Sequence, residues 1–510
     1  MEKSLVLWEF AKKQNYIFKS NKLVENVGAS LIIKDISENF NKKYKLDDKN
    51  FVTRGGGKTI YLFDNDKLAS EFIGNYSKDL LKEYPGIELF FVKTNFDDEN
   101  DNYKEKIDEL YKKLEEKKNK REINGGLIGF GIERKCQSTG MPASYLDKDK
   151  GDYISSEVKL KREYAKKQER EFNELILKGY TLEKEIGKLI KKEDKNYIAI
   201  VHIDGNSMGK KLKGILDNVV KKSNESQKDY NYRCINKMKK ISEEINDLYK
   251  NAFKKMVEVV VKNEEKIKDF TKIEEKILPI RPLILAGDDV TFITSGVIGI
   301  ECARIMLESI SEKNVIIDGE NIGKLTACAG VCIIKSGYPF IRAYNMAEEL
   351  CQNAKTLLLE KKIDENALDY HIAQGEINKT ISEIRSEYYT SEDADKNQEG
   401  NLTMKPLLLK SSNDWRNYEN LCEAIKNVET AINAKDIVRG KIKELRTVLK
   451  KGQKATEMFF KFYNIDGGRY LRPLPNTKGD YCFNTNDTEN KCMYLDAIET
   501  YEYFVKLDDK

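Results

Sequence analysis

The amino-acid sequence predicts an α+β fold in which one β-α-β-β-α-β unit occurs twice and a mainly helical domain follows. Three observations lead there. Apolar periodicity switches between the two-residue repeat of strands and the three-to-four-residue repeat of helices in the same order over residues 1–100 and 196–375. Each stretch has a glycine-containing turn between its second and third strands, Arg54-Gly55-Gly56-Gly57-Lys58 in one and Ala286-Gly287-Asp288-Asp289 in the other. Residues 376–510 carry helical spacing and then a turn-rich tail. At 510 residues the chain is worth about three domains of ~150 residues each, enough to bury large cores without disulfides or metals.

In the first unit, residues 1–100, a strand is predicted near Leu5 to Phe18 and a helix from Asn21 to Phe40. Two short strands flank the first turn, the second being Thr59 to Phe63. A helix runs from Lys67 to Tyr84, stopped by Pro85-Gly86, and Ile87 to Val92 is the fourth strand. This is the ferredoxin-like order. Residues 101–195 read as a helical linker region, with Lys- and Glu-dense helices over Asp101 to Arg121 and Ser155 to Lys192 around a Gly125-Gly126 patch; their charge density predicts solvated faces. The second unit, 196–375, opens on Tyr197 to Ile203, a continuous apolar run expected of a strand buried on both faces. A long helix follows, with Ile235, Met238, Ile241, Ile245, Leu248, Ala252 and Met256 three or four apart. Leu283 to Leu285 and Val290 to Ile293 flank the second turn. A helix near Gly299 to Ser311, a strand from Leu325 to Ile334 and a helix from Ile341 to Leu359 complete the unit. In the third domain helices are predicted over Trp415 to Ile432 and Ala434 to Lys451, before the tail Gly467 to Asn490.

Composition excludes several classes. Lys+Arg 89 against Asp+Glu 85 leaves a net charge of +4, so any polyanion is met locally and not by bulk charge. Nine cysteines without a C-x-x-C pair fit reduced thiols in the cytoplasm. Only His202 and His371 are present, too few for an HD-type phosphohydrolase or an HExxH protease. No apolar run approaches the ~18 residues of a membrane span, and no membrane partner is expected.

The chemistry concentrates in the second unit. In a ferredoxin-like sheet the first and third strands are central antiparallel neighbours, so Asp204, closing the first strand, is expected beside Asp288 and Asp289 in their exposed turn. Three gathered carboxylates raise one another's pKa. Divalent ions, Mg²⁺ or Mn²⁺, would neutralise them and hold nucleotide phosphates for in-line attack by a hydroxyl. Gly205 and Gly287 let backbone approach a triphosphate, and Lys355 can reach a terminal phosphate as a point charge. Gly57-Lys58-Thr59 imitates the end of a Walker A loop, but Val52 stands where its first glycine belongs and the context is a hairpin. What remains is a carboxylate-free turn that is expected to bind no catalytic metal. His202 shares side-chain parity with Asp204 and reads as a satisfied strand histidine.

At these residues the chain resembles the large catalytic subunit of type III CRISPR effector complexes, the CRISPR polymerase family with two palm domains. Asn15 to Ser30 resembles the start of the first palm, and Arg54-Gly55-Gly56-Gly57-Lys58 its inactive turn. Ile203-Asp204-Gly205-Asn206-Ser207-Met208-Gly209-Lys210 resembles the metal-binding strand end of the second palm, and Ala286-Gly287-Asp288-Asp289 its GGDD turn. Asp369 to Ile372 and the later helices resemble the passage into the family's helical C-terminal domain. The resemblance implies palms related to GGDEF-type and class III nucleotidyl cyclases, with ATP as substrate at their interface. It implies 3′–5′ joining of ATP into cyclic oligoadenylates, second messengers of antiviral defence. Metal ligands would be Asp204, Asp288 and Asp289, with Ile203 at the strand end. Nucleotide contacts would be Gly205, Asn206, Ser207, Gly287 and Lys355, together with the first turn from Arg54 through Gly55, Gly56 and Gly57 to Lys58.

Implied partners are guide RNA and other CRISPR effector subunits. The sequence departs from the pattern in four ways. The family's HD nuclease domain is missing, so DNA cleavage by that route is not expected. Cys136-Gln137-Ser138-Thr139 stands where the family often has a C-x-x-C pair, so no inter-palm zinc is expected. Asn206 and Ala286 replace residues commonly Asp and Gly, which bears on base choice and product size. The chain is short for a guide-RNA complex, which makes a free-standing, oligomeric defence cyclase the alternative. A non-catalytic RNA-binding scaffold and a cyclic dinucleotide synthase are the other two readings.

Overall fold

The first sheet is built on β1 (Glu2–Phe10), in which Leu5, Val6, Leu7 and Trp8 are all buried, so both faces of the strand are covered. The chain continues through α1 (Lys13–Ile17), α2 (Leu23–Lys34), β2 (Phe51–Gly55), β3 (Lys58–Phe63), α3 (Asp66–Glu83) and β4 (Leu89–Asp97). The sheet order is β2-β3-β1-β4 with every neighbouring pair antiparallel, the predicted ferredoxin-like arrangement. The computed structural model describes residues 2–39, 41–55, 57–120, 131–167, 172, 174–183, 185, 189–191, 196–375, 378–391, 400–410, 413–486 and 492–508. Gly56 of the first turn and the Gly125-Gly126 patch lie outside the described residues.

Two predicted elements of this region are corrected. The first strand ends at Phe10 and does not run to Phe18: Lys12 takes a left-handed turn at φ 51° and α1 follows. Tyr16, Ile17 and Phe18, which prolong the apolar pattern, are buried because they pack between the two sheets; the Phe18 ring stacks on Tyr344 with centroids 4.1 Å apart. The linker helices are shorter than predicted, and each buries a face: the first keeps its charged side solvated and the second is mostly covered. In α4 (Tyr103–Asn119), Tyr103, Ile107, Leu110 and Leu114 cover the face of the first sheet formed by Leu5, Leu7, Ile60 and Val92. In α5 (Ser156–Lys167), Arg162 is buried because it bonds Glu25, Asp147 and Asp152, while Lys161 bonds Glu157 and the Tyr16 carbonyl. Past α5 the described stretch Thr181–Leu182 is a short strand parallel to Ile277–Leu278.

The second unit contains β5 (Tyr197–Gly205), α6 (Met208–Asp217), α7 (Gln227–Lys262), β6 (Ile280–Ala286), β7 (Asp289–Ser295), α8 (Gly299–Ile310), β8 (Ala327–Lys335) and α9 (Phe340–Lys361). Its first four strands take the order β6-β7-β5-β8, the same as the first sheet. Two further strands extend it. β9 (Ala367–Ile372) lies parallel to β8 across α9, and β10 (Leu407–Leu408) pairs antiparallel with β9. Sequence did not mark β9 as a strand because Asp369 interrupts its apolar run; that carboxylate is fully buried and paired with Arg385 at 2.5 Å. α9 packs against β8 at Gly330, where a Cβ would lie 1.9 Å from the Ala347 carbonyl oxygen.

Beyond β10 come α10 (Tyr418–Asn433), α11 (Arg439–Lys450), α12 (Gln453–Phe462) and α13 (Leu495–Thr500). The last described residues return to α8. There the fully buried Glu301 accepts from Arg304, from the Tyr418 hydroxyl and from the backbone N–H of Leu507 at 2.9 Å. Among the described residues no helix is long and apolar enough to cross a membrane.

Candidate active site

β5 and β7 pair antiparallel with Ile203 opposite Val290 and His202 opposite Thr291, so the next position outward brings Asp204 level with Asp289. β7 starts at a two-residue turn, Gly287-Asp288, closed by the Ala286–Asp289 pair. Gly287 has φ 65°, the left-handed value a II′ hairpin needs at its first central position. Asp288 lies over Gly205: a Cβ there would be 3.0 Å from Asp288 Oδ2 and 2.8 Å from the Met208 Cε. The three aspartates therefore meet at one sheet edge, and Gly205 is what permits the approach.

Two lysines hold this cluster. Lys355 Nζ lies 2.5 Å from Asp204 Oδ2 and donates to the Gly205 carbonyl at 3.0 Å. Lys13 Nζ, from α1 of the first sheet, lies 2.6 Å from Asp289 Oδ2. Contrary to the sequence reading, the turn is not exposed; the Asp289 side chain keeps only 15% of its accessibility. Burial pulls Asp289 upward, but the Lys13 ammonium and then His202 hold it below the usual carboxylate range. Burial, followed by the charges of Asp204 and Asp289, pushes Asp288 up to about 6. His202 Nδ1 shares a hydrogen bond with Thr291 Oγ1 at 3.1 Å and stands 3.8 Å from Asp289 Oδ1.

A pH dependence follows for the metal-free protein. The folded-state value of Asp288 lies above the 3.8 of an unperturbed Asp and near 6, so within that window the folded chain binds more protons than the unfolded one. Stability from this group is full below the window and falls as pH rises through it. Asp288→Asn is expected to be the more stable protein at pH 7 in chelator, by on the order of 2 kcal/mol. The gain should shrink at pH 5; melting curves at both pH values would refute this if the difference were unchanged.

A cavity of about 720 Å³ opens between the two glycine turns. Arg54, Gly57, Lys58, Gly287 and Asp288 line it, as do Lys13, Met208 and Gly209, with Tyr111 and Lys118 from α4 and Ser242 and Asn246 from α7. Asp204, Gly205, Asn206, Ser207, Asp289 and Lys355 are not on its wall. Ile203 is fully buried. Asn206 turns away to donate to Thr326 Oγ1 and the Glu365 carbonyl. Ser207 has φ 51° and starts α6 without a side-chain cap bond. Arg54 pairs with Asp48 at 2.8 Å and lies over the Phe51 ring at 3.6 Å.

The first sheet repeats the geometry with different chemistry. Glu9 is opposite Lys58 in the β1–β3 register, at the position where Asp204 is opposite Asp289. An acid facing a base needs no cation. Lys13 was missed by sequence reading, yet a signal existed: it opens a helix four residues after Glu9, as Met208 does after Asp204. Drawing the first strand through to Phe18 hid that helix.

Among the described residues no group of three or more His, Cys, Asp and Glu side chains stands ready around a metal, and Asp204 and Asp289 each face a lysine. The donor set nonetheless fits a hard divalent ion. It offers carboxylate oxygens only, and Asp289 Oδ1 is buried without a hydrogen-bond partner.

Residues 197–363 match the family model of the second palm domain of Cas10/Cmr2. Among solved structures, an apo Csm1–Csm4 cassette superposes with a TM-score of 0.55 at 14% identity, covering 98% of this chain and 69% of that one. The cassette in complex with cA4 gives 0.54 at 12% identity, covering 98% and 70%. The cassette with one ATP gives 0.55 at 12%, covering 98% and 69%. At these identities the likeness is one of fold. No curated protein matches the chain at a significant level. The matched segment runs from the first residue of β5 past the end of α9 and contains Asp204, the Gly287-Asp288 turn and Lys355; this part of the chain is a palm domain of the Cas10/Cmr2 kind, set in a chain whose fold is similar to that of Csm1.

Proposed function

We propose that the protein is a metal-dependent nucleotidyltransferase that joins ATP through 3′–5′ linkages and closes the chain into cyclic oligoadenylates for antiviral defence. The observation that carries this reading is the meeting of Asp204, Asp288 and Asp289 at one sheet edge, beside a cavity whose far wall is the first glycine turn. Its volume of about 720 Å³ falls within the ~300–1,000 Å³ of small-molecule sites. Solved Csm1–Csm4 cassettes in complex with ATP, cA3 and cA4 support the choice of substrate and product.

In this reading Asp204, Asp288 and Asp289 would hold Mg²⁺ or Mn²⁺ and not zinc, and the ion would supply positive charge for the transferring phosphoryl and for the deprotonated form of the attacking hydroxyl. Gly287 and Gly209 bring backbone close to one triphosphate. Lys355 stands beside Asp204 and is positioned to meet a terminal phosphate. Arg54 and Lys58, across the cavity, hold the second nucleotide, and Gly57 leaves room for it; Glu9 keeps that half free of metal. Residues 1–100 and 196–375 are the two palms, 101–195 the linker and 376–510 the C-terminal domain. A subunit of the Csm4 kind and guide RNA are the proposed partners, in the cytoplasm.

ATP binding is expected to require a divalent ion, because the acidic edge repels a bare triphosphate. Calorimetry should show at least a tenfold loss of ATP affinity (~1.4 kcal/mol) when chelator replaces Mg²⁺. Equal affinity in both buffers would remove the site from this edge.

A further inference from the structure

We propose that Lys13 is a resident cation of the active site: it holds Asp289 in the resting protein, a divalent ion must displace it, and the displaced ammonium then takes a nucleotide phosphate as its partner. The second half rests on the proposed function; the first does not. Lys13 belongs to the first sheet's half and Asp289 to the second, so this contact joins the metal-free half to the acidic half at the border of the cavity. The two side chains are 14% and 15% exposed, which shields the pair from water. Its stem is given room by the silent turn, since a Cβ on Gly57 would sit 3.3 Å from Lys13 Cδ.

Asp289 Oδ2 is taken by this ammonium while Oδ1 is buried with no hydrogen bond. A metal ion and Lys13 therefore compete for one carboxylate. Lys13 lines the cavity whereas Asp289 does not, so a nucleotide in the cavity offers the lysine another anion. Metal and nucleotide are then coupled: phosphate draws Lys13 off Asp289 and opens it to the ion, and by reciprocity the ion frees Lys13 for phosphate. The first palm, though without metal ligands, sets the metal affinity of the second.

The test is Mn²⁺ binding to the full chain without nucleotide, read by electron paramagnetic resonance at fixed pH and salt. Lys13→Gln is expected to bind Mn²⁺ at least about tenfold more tightly than the unmodified protein. Lys12→Gln makes the same charge change one residue away and should stay within about threefold, while Lys13→Arg keeps the competing charge and should remain near the unmodified value. In an Asp289→Asn background the gain from Lys13→Gln should vanish. Adding ATP should tighten Mn²⁺ binding more in the unmodified protein than in Lys13→Gln. Mn²⁺ binding that is unchanged in Lys13→Gln, equal in Lys12→Gln, or absent throughout would overturn the inference. A tightened Lys13→Gln in a protein that makes no cyclic product would instead overturn the cyclase reading and leave this one standing.

Discussion

Asp288→Asn combined with Asp289→Asn is expected to abolish nucleotide joining, with a rate loss of at least ~10³-fold, because several kcal/mol of metal-held stabilisation of the transferring phosphoryl disappears. Asparagine is the informative replacement. Alanine at 289 would delete the carboxylate side of the mostly buried Lys13–Asp289 pair, and removing one partner of a buried pair costs about 3–5 kcal/mol, so lost folding would imitate lost chemistry. Asp204→Asn should be comparably damaging, since Asp204 lies level with Asp289 on the neighbouring strand. Arg54→Ala and Lys58→Ala, in the carboxylate-free turn, should instead weaken ATP binding or shorten the product. Mass spectrometry of products beside the melting temperature of each variant is the measurement. A double variant that folds normally and still makes product would remove the cyclase reading.

Gly330→Ala is expected to be the most destabilising small substitution in the second sheet. Its Cβ would sit 1.9 Å from the Ala347 carbonyl oxygen and 2.5 Å from the Cys351 backbone nitrogen. Neither is a flexible side-chain end, so α9 must move off β8. The cost belongs at the top of the overpacking range, about 3 kcal/mol, or a melting temperature lower by roughly 6 °C or more. Lys355 rides on α9 and would be carried from Asp204, so metal and nucleotide binding should weaken along with stability. An unchanged melting temperature would show that α9 is not seated on Gly330 as described.

The elements legible in the sequence are those whose pattern is set by their own residues. Tyr197 to Ile203 is apolar throughout and is a central strand; α7 shows its buried stripe over 36 residues. The Gly287-Asp288 turn was legible because φ 65° there is glycine's territory. What escaped depends on partners far along the chain. β9 carries Asp369, acceptable in a sheet only because Arg385 meets it. α5 reads as a solvated helix, yet Arg162 is buried against Glu25, Asp147 and Asp152. The aspartates could be placed from strand order alone, whereas Lys13 needed the packing of one sheet on the other. Asn206 and Ser207 carry a nucleotide-contact motif in the sequence; in the structure Asn206 donates to Thr326 and the Glu365 carbonyl, and neither residue lines the cavity.

Glu301 ties the last described residues into the second sheet's half of the molecule. Its carboxylate is fully buried in α8, and one of its donors is the backbone N–H of Leu507, 206 positions later. A ribosome adding ~5–20 residues per second takes about 10–40 s to cover that distance. Until then the carboxylate lacks a donor it keeps in the finished protein. The acidic edge of β5 and the turn before β7 are synthesised early, but the helix packed behind them is locked only when residue 507 has been made.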